Sequence, residues 1–427
     1  MAHAAAVIFV TMAFLATGAL PEHVTSLLFF ALAALLAVAP NEVIFSGFAS
    51  STVWLVFGGL IIAEAVNHTG LGKRVAALTL SRFTLTYEKL IALTVVISTA
   101  FAFVMPATLA RILLLLPILN AVSEHAGLKP HGKGHNGVCL AAIMSTYQCG
   151  TAVLPANAPN LVLAGASETL YGVHFTYAEY LFVQFPVMGI VKAVVIALLT
   201  CMLFREEVAH IREKPDPKPL RAEEWRLVVV LIGSLLLWAT DFLHQIQPGW
   251  IALAAGVICV LPKIGVMPLS VFNERVRFGP FIYVAAILGL GAMLSTAGIA
   301  RSIGSALRAF LDLGGNADIL NFLSLGLLAT FTGLLTTNPL QPALLAPLAA
   351  QLAVQTGWSV KAVLMTMALG FTTMILPYQV PPVVVGIQVA GLSLRTTLRL
   401  TLPLALVSVI ALLPLDYAWW RLIGYFN

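Results

Sequence analysis

Charge is what this sequence has least of: Asp, Glu, Lys and Arg make up 10% of its 427 residues, against roughly a quarter in ordinary soluble domains. A soluble enzyme could not cover its surface with so few charges. Cysteine is scarce too, and Cys139, Cys149, Cys201 and Cys259 all fall within apolar runs without metal-type spacing. That excludes a disulfide framework and a zinc site. No basic stretch alternates with aromatic residues, so nucleic acid is not an expected partner. No Gly-x-Ser-x-Gly, phosphate-cradling glycine loop or pair of acids stands where it could support hydrolysis. The chain is therefore read as no enzyme, with no organic cofactor.

What is present is apolar sequence. Hydrophobic residues make up 60% of the chain, and mean hydropathy is +0.96. Runs near the roughly 20 residues needed to cross a bilayer as a helix recur from end to end, so the lipid bilayer is the expected surrounding. No Lys or Arg precedes the first run, Ala4 to Leu20, which therefore reads as a span and not as a secretory signal. Further spans are expected at 24–39, 52–66 and 180–204, and then at 226–242, 250–261, 281–297 and 398–413. Interfacial helices are expected at 71–85 and 300–311. The blocks near 90–124 and 319–356 are too long for one span and too short for two with a polar loop. Each is read as a re-entrant hairpin with arms of about 14 to 16 residues, which at about 1.5 Å per residue leave the tip within the membrane. Helices near 138–166 and 361–390 are broken by proline, at Pro155 to Asn160 and at Pro377 to Pro382.

The chain repeats itself. Thr108 lies over Asn338 and Pro117 over Pro347, with 338 − 108 and 347 − 117 both equal to 230. Likewise Pro155-Ala156-Asn157-Ala158-Pro159 lies over Pro377-Tyr378-Gln379-Val380-Pro381. The expected fold is thus an all-α polytopic membrane protein made of two repeats, residues 1–204 and 226–427, joined by a cytoplasmic linker at 205–225. Five crossings per repeat, an odd number, invert the second copy relative to the first. Charge supports this topology. Lys73, Arg74, Arg82, Lys129, Lys133, Arg212, Lys214, Lys218, Lys263 and Arg275 fall on one side, and Arg301, Arg308, Lys361 and Arg421 on the other. By the positive-inside rule the first side is cytoplasmic and both termini face outward, as in a multi-pass protein of the cell inner membrane.

Polar, proline-broken backbone at bilayer depth is tolerated only where it is buried in protein or lines a wet cavity. Pro106 to Arg111 and Thr336 to Pro342 meet that description and mark the expected binding site of a carrier for a small anion. Thr108, Arg111, Thr337 and Asn338 at the tips, with Asn157 and Gln379 at the helix breaks, are the candidate substrate ligands. Arg111 reads either as an anion clamp or as a pin holding the hairpin to a neighbouring carbonyl or acid. Thr336, Gln341, Asn160, Thr151 and Thr373 rank lower, because membrane-helix hydroxyls tend to bond their own backbone. Glu64 and Lys192 are charges within spans, read as an ion pair or subunit contact, with a proton site at Glu64 as the alternative. His125, His131 and His135 read as part of a solvated glycine-rich loop.

Several of these stretches resemble the divalent-anion:sodium symporters of the ion transporter superfamily, which carry dicarboxylates, citrate or sulfate. The resemblance rests on Val53 to Gly59, on Thr69-Gly70-Leu71-Gly72-Lys73-Arg74 and on Pro159 to Gly165. It implies a homodimer working by an elevator motion and coupled to sodium, with sodium at Thr108, Asn157, Thr337 and Asn338. It also implies a Ser-Asn-Thr signature at each tip, where this chain has Ala107-Thr108-Leu109 and Thr337-Asn338-Pro339. The function expected is sodium-coupled symport of di- or tricarboxylates. The alternatives are sodium-independent exchange, proton-coupled carriage of sulfate or another oxyanion, and cation/proton antiport.

Overall fold

A computed structural model describes residues 2–17, 19–75, 86–208, 219–298, 313–314 and 318–426. The expected interfacial helix at 300–311 lies outside them, as do the 71–85 segment beyond Val75 and the linker residues 209–218. Arg82, Arg212, Lys214, Lys218, Arg301 and Arg308 of the charge pattern also lie outside.

Among the described residues every regular element is a helix. The first half comprises α1 (Ala2–Thr17), α2 (Glu22–Leu35), α3 (Ser51–Thr69), α4 (Tyr87–Val104), α5 (Thr108–His125), α6 (Lys133–Gln148), α7 (Ala158–Tyr171) and α8 (Tyr177–Phe204). The second comprises α9 (Ala222–Ala239), α10 (Pro248–Val260), α11 (Gly279–Thr296), α12 (Asp318–Leu335), α13 (Leu340–Thr356), α14 (Val360–Thr372), α15 (Pro381–Val389) and α16 (Leu394–Leu422). Among the described residues, seven of these helices (α3, α4, α5, α8, α11, α12 and α16) are long and apolar enough to cross a membrane. Near its middle, α8 loosens into a π turn at Phe185–Val191, and α16 does so at Ser408–Leu412.

Local chemistry explains where five of the helices begin. Ser50, Thr86, Thr176, Ser359 and Ser393 each accept a backbone N–H of the first turn of α3, α4, α8, α14 and α16, the usual work of an N-cap hydroxyl. The Thr86 cap starts α4 earlier than expected, and Pro117 is carried inside α5 without ending it. Both hairpin arms therefore run for 18 residues, about 27 Å at 1.5 Å per residue, which corrects the shorter arms read from sequence. Glu168 on α7 reinforces the start of α3, accepting from Ser50 Oγ at 2.5 Å and from Ser51 N at 3.1 Å.

The two halves interlock. Within each half the first hairpin arm packs on the broken helix, α4 on α6 and α12 on α14, while the second arm touches both halves, α5 packing on α6 and on α15, and α13 on α14 and on α7. Buried apolar side chains accordingly form two clusters, one around α4, α5, α6 and α15, the other around α7, α11, α13 and α14. In the surrounding frame, α3 lies against α10 with no room for side chains. A methyl group at Gly58 would meet the Ala252 carbonyl oxygen at 2.3 Å, and one at Gly249 the Ser51 carbonyl oxygen at 1.9 Å. Small residues serve membrane helices in this way, letting backbones touch.

Candidate functional site

The first tip is Met105-Pro106-Ala107, extended backbone between α4 and α5. The first broken helix stops at Gln148, passes through two short 3-10 turns at Gly150–Ala152 and Leu154–Ala156, and resumes at Ala158. The break thus begins earlier than the proline-centred Pro155 to Asn160 read from sequence. The cause is capture of the last α6 carbonyls by side chains: Thr146 O accepts from Arg111 Nη2 at 3.1 Å and Tyr147 O from Asn157 Nδ2 at 2.9 Å.

Arg111 is fully buried. Its Nη1 donates to Met105 O at 2.8 Å. Its Nη2 faces four oxygens: Asn157 Oδ1 and Ala156 O at 3.0 Å, Thr146 O at 3.1 Å and Thr108 Oγ1 at 3.4 Å. Thr108 also donates to Asn157 Oδ1. The guanidinium therefore ties the tip to both sides of the helix break, and it makes room for itself at Gly150, where a methyl group would sit 3.0 Å from Nη2.

The second tip is held differently. Asn338 N donates to Gln379 O at 2.8 Å, and Asn338 Nδ2 donates to Tyr147 Oη at 2.7 Å and to Phe371 O at 3.1 Å. Gln379 Oε1 accepts from the backbone N–H of Ile375 and of Leu376, both at 2.8 Å, satisfying groups that the break had freed. Thr337 lies beside Tyr283. Of the lower-ranked hydroxyls, Thr336, Thr151 and Thr373 each bond a carbonyl of their own segment, as membrane-helix hydroxyls commonly do. Tyr147, which connects Asn157 of the first break to Asn338 of the second tip, was not among the sequence candidates. Its signal was a lone phenol one residue before the end of an apolar half-helix.

Between the tips and breaks lies a cavity of about 310 Å³, at the small end of the range for small-molecule sites, roughly 300–1,000 Å³. Thr108 and Tyr147 line it, whereas Arg111, Asn157, Asn338 and Gln379 stand behind its wall. Its sides are mainly apolar, with Val56, Leu60, Leu161, Val284 and Val385, and its other polar side chains are Glu22 and Tyr283.

Four helix starts converge on this cavity: Thr108 of α5, Ala158 of α7, Pro339 just before α13, and Pro381 of α15. None of the four has a side-chain cap, as is also true of α2, α10 and α11; the cap positions are Ala107, Asn157, Pro339 and Val380. Asn157 carries a capping side chain by type but spends it on Thr108, Arg111 and Tyr147. Each helix start carries about half a positive charge, and the first turns of α5 and α7 leave N–H groups for a ligand, whereas α15 opens with Pro381 and Pro382, which have none, and Leu340 and Gln341 of α13 already donate to Thr337 O.

The two charges read as a pair within the spans are not paired with each other. Glu64 Oε1 lies 3.8 Å from Arg275 Nη1, and Lys192 Nζ donates to Thr372 O at 2.5 Å. Arg275 approaches from the segment Leu269–Arg275 that precedes α11, a proximity that sequence spacing did not carry. Of the three histidines, His125 and His131 are exposed, but His135 is buried in the first turns of α6, which starts at Lys133. That corrects its reading as a loop residue.

The sequence matches the family described as the sodium:sulfate symporter transmembrane region over residues 1–426. It is 28% identical over 398 residues to a membrane protein of Cupriavidus necator, covering 89% of this chain and 76% of that one. It is 22% identical over 371 residues to the sodium-dependent dicarboxylate transporter SdcS of Staphylococcus aureus, covering 80% and 71%. Among solved structures, the antimetabolite efflux pump MtrF of Neisseria gonorrhoeae has a similar fold, with a TM-score of 0.58 at 15% identity over 96% of this chain and 97% of that one.

Proposed function

We propose, from the premise that this chain belongs to the sodium:sulfate symporter family, that it is a secondary carrier of small organic anions, di- or tricarboxylates ahead of sulfate. The observation that carries this reading is the meeting of four helix starts at one cavity. Partial positive charges around one cavity favour an anion, and the first turns of α5 and α7 leave its oxygens N–H groups to bond. The apolar walls around them suit a carbon skeleton better than a bare sulfate, and the relative SdcS is a dicarboxylate transporter.

In this reading Thr108 and Tyr147 touch the substrate from the wall, while Arg111, Asn157, Thr337, Asn338 and Gln379 hold the tips and breaks in register. The halves 1–204 and 226–427 are inverted repeats, and the hairpins and broken helices move as an elevator against the remaining helices. The carrier is a homodimer in the inner membrane with both termini outside the cytoplasm. Family membership suggests sodium as the coupling ion. In the second half Thr337 and Asn338 would supply oxygens to it; in the first half the oxygens of Thr108 and Asn157 already face Arg111.

Proteoliposome uptake tests the reading. Labelled succinate or citrate is expected to enter saturably and to be trapped by unlabelled substrate inside. Uptake confined to sulfate, or an ionic conductance that neither saturates nor shows trapping, would reject it.

A further inference from the structure

Both broken helices end their first segment on carbonyl groups deep in the protein, the negative end of a helix. In carriers built from broken helices, such ends and the unwound carbonyls beside them hold the coupling sodium ion or proton. Here each end already meets a side-chain cation.

At the end of α6, the oxygens of Thr108, Thr146, Ala156 and Asn157 surround a single nitrogen, Arg111 Nη2, at 3.0 to 3.4 Å. These include both first-half oxygens that a sodium ion would use. The cage is therefore filled, and Coulomb repulsion at so short a range opposes a second cation beside the guanidinium. Gly150 keeps space open beside the guanidinium, since a methyl group there would sit 3.0 Å from Nη2 and press on it.

In the second half the position matching Arg111 is Gln341, by 341 − 111 = 230, and it is neutral. Its Nε2 donates to Met367 O at 3.1 Å. The charge arrives instead from α8: Lys192, fully buried, donates to the carbonyl of Thr372, the last residue of α14. That is its only hydrogen bond among the described residues, and no acid lies within ion-pair distance of it there. The buried acid that acts on it electrostatically, Asp416, stands off. A buried lysine within a span is costly unless it has a task, and a helix carboxyl end is a favourable place for it.

We propose that Arg111 is a tethered cation standing where the first-half coupling sodium ion would bind, with Lys192 placing a second fixed charge on the carbonyl end of the other broken helix, so that this carrier moves its substrate without sodium. The inference rests on the anion-carrier reading above, but its decisive measurement does not. Purified protein is assayed for binding of radioactive sodium, and its melting temperature is followed as sodium chloride replaces choline chloride at constant ionic strength. Exchange of labelled succinate is measured in both salts. The expected result is no saturable sodium binding, no shift in melting temperature and no loss of exchange in choline. Saturable sodium binding, or exchange lost in choline, overturns the proposal. If succinate exchanges in neither salt, the substrate reading fails while the binding measurement still decides the sodium question. Arg111→Ser, which empties the cage, is expected to gain a sodium-dependent rise in melting temperature, and Arg111→Lys is not. A folded Arg111→Ser protein indifferent to sodium counts against the cage. If that variant does not fold, sodium binding to the wild-type protein decides the matter.

Discussion

Tyr147 Oη accepts a 2.7 Å hydrogen bond from the side-chain amide of Asn338, 191 residues away in sequence, and donates one of 2.9 Å to the carbonyl of Phe371. The backbone carbonyl of the same tyrosine takes the Asn157 amide. One residue thus fastens the tip of the second hairpin to the break of the first discontinuous helix, so the two halves share a single polar joint at the cavity wall.

Tyr147→Phe removes the hydroxyl and leaves the Asn338 amide with one partner fewer and the Phe371 carbonyl with one donor fewer. Each buried group left unsatisfied costs about 1–3 kcal/mol. The expected outcome is a lower melting temperature and weaker substrate binding. A double-mutant cycle with Asn338→Ala checks the pairing: the two losses should be clearly less than additive.

Gly150→Ala places a methyl group 3.0 Å from Arg111 Nη2 and 3.2 Å from Asn157 Nδ2. Since both side chains are held by several bonds, yielding is costly, and a loss of about 1–3 kcal/mol is expected. Transport should fall with stability. Equal uptake by wild type and variant at matched reconstitution would show that the cage is looser than described.

Two other glycines should behave oppositely. Gly58→Ala drives its methyl group into the Ala252 backbone and is expected to prevent α3 from seating on α10, read as loss of folded protein in detergent. Gly233, within α9, has nothing within 4 Å of a built methyl group. Gly233→Ala is expected to stabilise by about 0.5–1 kcal/mol through helix propensity alone, seen as a raised melting temperature.

Glu64→Gln tests the proton-site alternative. Its partner Arg275 is exposed, and pairs of that kind are worth about 0–1 kcal/mol. The pH profile of uptake should be the same in variant and wild type. A shifted profile would bring Glu64 back into the mechanism.

Leu60→Trp adds bulk to the cavity wall. Citrate uptake should fall more than succinate uptake, because the larger skeleton reaches the wall first. An equal loss for both substrates would argue that the cavity is not where they are distinguished.

Helix positions were largely legible in the sequence because membrane helices announce themselves by apolar length, and the two helix breaks did so by their prolines. Arm length was less legible. Thr86 and Pro117 set it through a cap and a proline carried within the helix, and an apolar window registers neither. The polar candidates came from residue type, and type does not say which way a side chain faces. Arg111 looks the same in sequence whether it reaches into a cavity or back toward Met105 and Thr146. Tyr147 was missed for a related reason: its role depends on Asn338 and Phe371, and only folding brings them near. The uncapped helix starts were available in principle, since Ala107, Pro339 and Val380 are poor caps, but that absence has meaning only once four such starts are seen to face one space.

Both buried basic side chains at the helix ends, Arg111 and Lys192, belong to residues 1–204, while the second half has Gln341 opposite Arg111. The two halves of the sequence thus differ in electrical content, so they are not exchangeable. A chain built from two copies of the first would carry surplus charge in its interior, and one built from two copies of the second would have none to offer. Whatever symmetry the backbone keeps, the division of labour between the halves is fixed by these two side chains.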